Sequence, residues 1–337
     1  MLTRRTFLGS AAVAGAVLGA PAIVRAAKTT TFRMGHAMPP GHPYHLGLVK
    51  FKEEIEARTN GAIKVQVYPS GQIGGEVQII EGMRLGTVDG GAAASGSIPS
   101  AGGVPRFHLL DMPYLFKDYE AVEKFATGEV GEEFRAGLPN EAGFHILGYG
   151  ASGFHQVLNA VRPIEKPSDL KGLKLRVWEA PGAKLALELM GANPTPMAYG
   201  DVFTAVQQRV VDGLTNSMTT LYQTKMHEVT KYLSLTRHAY VWVPMMLSDT
   251  AFRSVGRAEQ EEIRKAGEVA CAYWRGLIPK DDDSYEAKFV EAGIQVNKAD
   301  QAAFREHVEK GYDRYAAIVG QANAKDLIAK LKAVGGY

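Results

Sequence analysis

Apolar and polar residues recur along this chain in two rhythms that outline an ordered set of elements. Thr30–Gly35 reads as a strand, and Pro39, Pro40, Gly41 and Pro43 make a rigid loop after it. Leu48, Phe51 and Ile55 fall at helical spacing within Tyr44–Arg58, and Gly61 stops that helix after Asn60. Ile63-Lys64-Val65-Gln66-Val67-Tyr68 alternates strictly, the mark of a half-buried strand. A helix over Glu76–Leu85 and a short buried strand over Val88–Ala94 follow. This β-α-β-α-β order predicts an α/β domain with a largely parallel sheet.

The rhythm restarts downstream. It predicts strands over His145–Gly148, Gln156–Asn159, Leu173–Val177, Val210–Leu214 and Tyr240–Met246. Helices are expected over Gly182–Met190, Asp201–Arg209, Gln301–Val319 and Lys325–Ala333. The longest, Arg257–Leu277, carries Ile263, Ala266, Val269, Ala270, Tyr273 and Trp274 at helical intervals. No short repeat or low-complexity linker separates the halves. Two α/β lobes without a linker imply that the chain crosses between them several times. Such crossings make a hinge, and a cleft between lobes suits a small molecule.

The N-terminus follows neither rhythm. Thr3-Arg4-Arg5-Thr6-Phe7-Leu8 is a twin-arginine signature, Gly9–Val24 is apolar, and Val24-Arg25-Ala26 supplies a small-residue cleavage pattern. The apolar run is about 16 residues, short for a membrane span. The expectation is a twin-arginine signal peptide over residues 1–26, cleaved near Ala26, and a mature chain that works in the periplasm. No later stretch reaches the roughly 18 uninterrupted apolar residues of a span. Without Met1–Ala26, which holds Arg4, Arg5 and Arg25 and no acid, 35 basic residues face 36 acidic ones. That balance gives no reason to expect nucleic acid or an anionic membrane as partner. Cys271 is the single cysteine, so no intrachain disulfide forms, and its apolar helical setting marks a small core residue.

Candidate chemistry is sparse. Gly148-Tyr149-Gly150-Ala151-Ser152-Gly153 fits the dinucleotide fingerprint, which needs a helix starting there to face a pyrophosphate. Pro163 leaves little room for that helix, and an inter-lobe crossing is the competing reading. His36, His42 and His45 lie within ten residues, without a nearby Cys or Asp to complete a zinc set. Polar loop histidines are the alternative, with His36 placed to touch a ligand. Asp281-Asp282-Asp283 reads as solvated surface. There is no G-x-S-x-G, H-E-x-x-H or P-loop. Arg176 sits on a strand opposite Leu173, Leu175 and Val177. By pattern alone it is a surface arginine, although a guanidinium matches a carboxylate with two parallel N–H bonds.

The surroundings of Arg176 add more. Asp169-Leu170-Lys171-Gly172-Leu173-Lys174-Leu175-Arg176-Val177 resembles a signature of the solute-binding proteins of tripartite ATP-independent periplasmic (TRAP) transporters, the C4-dicarboxylate-binding DctP family. Tyr68-Pro69-Ser70-Gly71-Gln72-Ile73-Gly74, Asp111-Met112-Pro113-Tyr114-Leu115-Phe116, Ala192-Asn193-Pro194-Thr195-Pro196-Met197, Val211-Asp212-Gly213 and Glu228-Val229-Thr230-Lys231-Tyr232-Leu233 resemble further family segments in the same order. The resemblance implies a two-lobed α/β binding protein with several inter-lobe crossings and a hinged cleft. Its lobes are expected at residues 27–152 plus 242–280 and 153–241 plus 281–337. It implies capture of an organic acid and delivery to a TRAP membrane permease, with no catalysis and no cofactor.

By the same resemblance Arg176 pairs with the ligand carboxylate, Asn216 is the cleft asparagine, and Tyr199 covers the ligand. Trp178 follows the arginine strand, and Ser95 offers a small polar first-lobe contact, which His36, placed by its own loop, would join on closure. Many members carry a second arginine in a "GxR" segment; here Gly153-Phe154-His155 occupies that place. A neutral His155 would not hold a second carboxylate. Phe154 and Trp178 add apolar surface. The expected ligand is a monocarboxylate with an apolar or aromatic body, or else a C4-type or sugar acid. The rival is an exported oxidoreductase holding a dinucleotide at Gly148–Gly153; a binding protein serving a sensor or an ATP-driven importer is a third reading.

Overall fold

The computed structural model describes residues 29–320 and 322–337. The export signature lies outside the described residues, as do the side chains of Asp281, Asp282 and Asp283. Nine strands form one sheet among the described residues: β1 (Thr30–Gly35), β2 (Ile63–Tyr68), β3 (Gly90–Ala92), β4 (Phe144–Asn159), β5 (Lys174–Val177), β6 (Asn193–Pro196), β7 (Gly213–Asn216), β8 (Tyr232–Ser248) and β9 (Gln295–Lys298). Their order is β2-β1-β3-β8-β4-β7-β5-β6, with β9 also paired to β8. At one end β1 runs parallel to β2 and β3; at the other β5 runs parallel to β6 and β7.

The two ends are joined by long strands. β4 has 16 residues and β8 has 17, and they pair antiparallel along most of their length. β3 pairs with β8 at Met245–Leu247, whereas β9 pairs with it at Tyr232–Leu235 and β7 pairs with β4 at Gln156–Asn159. Each long strand therefore serves one parallel set with one half and the other set with its second half. This is the physical form of the inter-lobe crossings.

The sequence predicts two short strands where β4 is a single one. The glycines between them are the reason. The helix Arg257–Glu291 lies directly on β4: a Cβ on Gly148 would fall 2.9 Å from Cys271 Sγ, one on Gly150 would overlap the Trp274 ring, and one on Gly153 would fall 2.7 Å from Ile278 Cγ2. Gly153 takes φ 107° where the pairing with β8 slips by a residue. The G-x-G-x-x-G pattern is thus a packing stripe for a helix. No helix begins there and the strand runs on to Asn159, so the dinucleotide reading is overturned.

That helix also continues past Leu277, through Pro279, to Glu291. Proline removes one ladder bond and crowds the preceding turn, yet Ile278, Tyr285 and Phe289 are buried on either side and hold the helix in register. At 35 residues it spans about 50 Å, touching Pro43–Arg58 near one end of the molecule and Met218–Gln223 and β9 near the other. Val269 and Tyr273, expected inside, lie on its outer face. Cys271 is a core residue as expected, and burial pushes its thiol up to about 12.

Other differences are local. The strand expected over Val210–Leu214 forms at Gly213–Asn216, because Arg209 turns the chain with φ 60° and leaves Val210 exposed. The helix expected over Gln301–Val319 breaks into Gln301–Glu309 and Asp313–Val319. Residues 97–141 lack a clear period and fold as short helical pieces, including Pro105–Asp111 and Tyr119–Thr127. The largest core cluster includes Trp242 of β8 against Phe116, Phe125, Tyr149 and Tyr240. A second cluster, with Leu158, Val206, Leu214, Leu221 and Phe289, lies under the other end of the sheet.

Candidate functional site

Between the two parallel sets, beside the crossing strands, lies a cavity of about 310 Å³. Arg176 on β5 is its most unusual wall. Pattern alone puts this side chain on the surface, but it is only 3% exposed. The segment after β6 covers it: Nε and Nη2 donate to Met197 O at 3.1 and 2.9 Å, and the guanidinium stands 5.0 Å from the Tyr199 ring centroid. No carboxylate among the described residues lies within ion-pair distance of it. Burial lowers its pKa, partly opposed by Tyr199 and by the more distant Glu76, Glu179 and Tyr44. A buried cation without an anion is costly and is a marker of a binding site.

Glu76 faces the same cavity from the other side. It opens the helix Glu76–Leu85, accepts from Ser97 Oγ at 3.0 Å and from the Ala94 backbone N–H, and has its pKa raised by burial. Asn216 ends β7. Its Oδ1 accepts from the Ser217 N–H at 2.9 Å and from Ser152 Oγ at 3.1 Å, so Nδ2 is left to face the cavity. His155 on β4 is 2% exposed; Nε2 meets Ser152 Oγ at 3.3 Å and Nδ1 has no partner. Burial first, then His238 and Arg176, push its pKa well below the ordinary value, so the ring is neutral. Trp178 meets His155 edge-on with ring centroids 5.7 Å apart. A polar bridge crosses nearby: His42 Nε2 meets Thr220 Oγ1 at 3.0 Å, and Thr220 Oγ1 meets Ser217 Oγ at 2.9 Å.

Of the residues singled out in the sequence, Arg176, Asn216, Tyr199, His155 and Trp178 line the cavity. His36, Ser95 and Phe154 are not among its lining. His36 is buried, accepts from the Met38 N–H at Nδ1, and meets His45 at 3.1 Å. His42 turns instead to Thr220, so the three histidines do not converge, and no metal-capable cluster of three occurs among the described residues. The Ser95 hydroxyl is buried without a partner; Ser97 lines the cavity in its place. Phe154 packs between Tyr119 and Tyr240, under Arg237. Neighbours on a strand face opposite ways, so His155 in the cavity puts Phe154 out of it. The apolar wall expected from Phe154 is therefore missing. Sequence reasoning passed over Glu76, Ser97, Ser152 and Tyr44, which line the cavity from loops, helix starts and the crossing strand. The one available signal was the glycine-rich turn that aims the start of Glu76–Leu85.

Comparison with known proteins identifies the family. Residues 34–318 match the DctP family, described as bacterial extracellular solute-binding protein, family 7. The chain is 32% identical over 275 residues to the 2,3-diketo-L-gulonate-binding periplasmic protein YiaO of Escherichia coli K12, covering 81% of this chain and 83% of that protein. It is 29% identical over 339 residues to the C4-dicarboxylate-binding periplasmic protein DctP of Rhodobacter capsulatus, covering 99% of each. A solved TRAP periplasmic solute-binding protein from Polaromonas sp. JS666, bound to D-erythronate, matches with TM-score 0.86 and 31% identity, covering 91% of this chain and 100% of that one. All three are named as periplasmic binding proteins for organic acids. The chain belongs to the DctP family of bacterial extracellular solute-binding proteins.

Proposed function

We propose that this protein captures a hydroxylated monocarboxylate of the sugar-acid type between its lobes and delivers it to a TRAP membrane permease. The observation that carries the reading is Arg176, a buried guanidinium with no carboxylate of its own. Met197 O occupies Nε and one N–H of Nη2. The Nη1/Nη2 fork remains, and its two parallel N–H bonds suit a carboxylate. Asn216 Nδ2 adds a donor, and Glu76 adds carboxyl oxygens that suit hydroxyls. YiaO and the Polaromonas protein are named with acids of this type. The Rhodobacter protein is named for C4-dicarboxylates, and a cavity with a single guanidinium, facing Glu76, argues against that class here. With Phe154 out of the wall, an aromatic ligand body loses one of the two apolar surfaces expected to favour it, Trp178 being the other.

In this reading the lobes divide near residues 27–152 plus 242–280 and 153–241 plus 281–337, with the last helix, Ala324–Gly335, lying back against Tyr119–Thr127 of the first. The twin-arginine signature would carry the folded chain to the periplasm, with cleavage near Ala26. The ligand shifts an open–closed equilibrium through contacts it makes only in the closed form. Isothermal titration calorimetry with D-erythronate, butyrate and succinate at one pH tests the ligand class. D-erythronate should bind at least about tenfold tighter than either. Succinate binding as tightly as D-erythronate would overturn it.

A further inference from the structure

We propose that Gly96 is a positioning residue for ligand capture: it forms the seat into which Trp178 closes from the other side of the cavity, and it governs affinity without touching the ligand. The inference deepens the proposed function and rests on its reading of the cavity as a site between two lobes that close.

Gly96 follows β3 and Trp178 follows β5, so they belong to the two opposite parallel sets of the sheet. Trp178 lines the cavity and Gly96 does not. The indole is half-buried as a whole, yet its Nε1 is buried. The ring thus enters the β3 side nitrogen first and keeps its remaining surface for the cavity. A Cβ built on Gly96 would fall 2.8 Å from that nitrogen and 2.4 Å from Asp111 Oδ2. In a close-packed setting only glycine leaves this notch open. Ala94, Ala239 and Val241 pack against the ring beside it. At the exposed rim Ser100 Oγ, in the short helix Ser97–Gly102 that follows Gly96, donates to Glu179 O at 2.8 Å. Two contacts therefore hold Trp178-Glu179 against the far side, just beyond the strand that carries Arg176.

The seat suits a contact that forms and breaks. The indole N–H is buried in it without an acceptor. A buried donor left unpaired costs free energy that water relieves when the two sides part. Contacts that a ligand makes with Arg176 and Asn216 only in the closed form supply the difference and press the ring into place. A side chain at position 96 would hold Trp178 off its seat, and the cavity would close less completely around any acid.

Indole ¹⁵N–¹H spectroscopy and calorimetry on the full-length protein test this. The chain has three tryptophans, and Trp242 and Trp274 are fully buried; Trp178→Phe assigns the third indole signal. Without ligand, the Trp178 indole N–H should exchange with solvent at least about tenfold faster than with saturating D-erythronate. A Trp178 signal as protected as those of Trp242 and Trp274 in the free protein overturns the proposal whether or not any acid binds. Gly96→Ala should weaken D-erythronate by about tenfold or more, and by clearly less in a Trp178→Phe background, where the atom that the new Cβ meets is gone. A folded Gly96→Ala protein with parental affinity, or the same loss in both backgrounds, also overturns it. If Gly96→Ala does not fold, the exchange rate in the free parent decides alone. Failure of the ligand reading looks different: D-erythronate then gives no heat of binding while Trp178 in the free protein still exchanges fast.

Discussion

Two buried arginines in this protein solve the same physical problem in opposite ways. Arg275, on the helix that lies along β4, is 7% exposed. Its Nε and Nη2 donate to Glu123 Oε1 and Oε2 at 2.8 and 3.0 Å, and Nη1 donates to Tyr149 O at 2.6 Å. Burial works to lower its pKa, yet the Glu123 hydrogen bonds and charge outweigh it and the net shift is upward. Arg176 is as deeply buried, has only a backbone carbonyl, and its net shift is downward. Burial alone therefore says nothing about function. A guanidinium that finds its carboxylate inside the fold is structural; one that does not is, under the proposed function, held ready for an anion from outside.

The largest effect should come from Arg176. Removing the partner of a buried charge typically costs about 3–5 kcal/mol. Arg176→Ala should therefore weaken D-erythronate by at least about a hundredfold, and Arg176→Lys should weaken it because the planar fork is lost. Stability of the ligand-free protein should hold or rise, since an unpaired charge has been removed. Calorimetry with urea unfolding reads both. Unchanged affinity would erase the contrast between the two arginines.

Arg275 should give the converse result. Arg275→Ala strands Tyr149 O and leaves Glu123 without its pair. Because the Glu123 side chain is 53% exposed, water takes over part of the loss, and a destabilisation of about 1–3 kcal/mol is expected. Affinity should stay within about twofold of the parent. A large loss of affinity with intact stability would place Arg275 in the binding machinery.

The same contrast shows what the sequence could disclose. The strands Thr30–Gly35 and Ile63–Tyr68 were legible because alternation is written into their own residues. The cleft position of Arg176 was legible too, through the segment that surrounds it. The continuity of β4 was not, because its glycines answer to Cys271, Trp274 and Ile278, more than a hundred residues away. Glu76 escaped notice for a similar reason: a glutamate at a helix start is ordinary until the chain folds it across a cavity from Arg176. Phe154 could have been excluded from the sequence, since alternation with His155 forbids both from one face. The unpaired state of Arg176 is a property of what is absent around it, and no local pattern records an absence.

Asp111 offers a third solution to a buried charge, and the smallest expected effect. It is 3% exposed, pressed between Gly96 and Gly182; it accepts from the Ala183 N–H, and Oδ2 has no partner. Burial, with Glu76 acting in the same direction, raises its pKa well above the ordinary value of 3.8. The fold thus keeps a proton that the unfolded chain has already released. Its contribution to stability is fully present below the unfolded pKa and is lost as pH rises through the folded one. Asn has nearly the shape of the neutral acid and cannot ionise. Asp111→Asn should match the parent near pH 4 and overtake it, by about 1 kcal/mol or more, as the pH is raised toward 8. Urea midpoints for the two proteins across that range isolate this group, because Glu76 and the remaining carboxylates contribute to both. A difference that stays constant with pH would mean that Asp111 is ionised in the fold. Asp111 would then join Arg176 as a buried charge without a partner of opposite sign among the described residues.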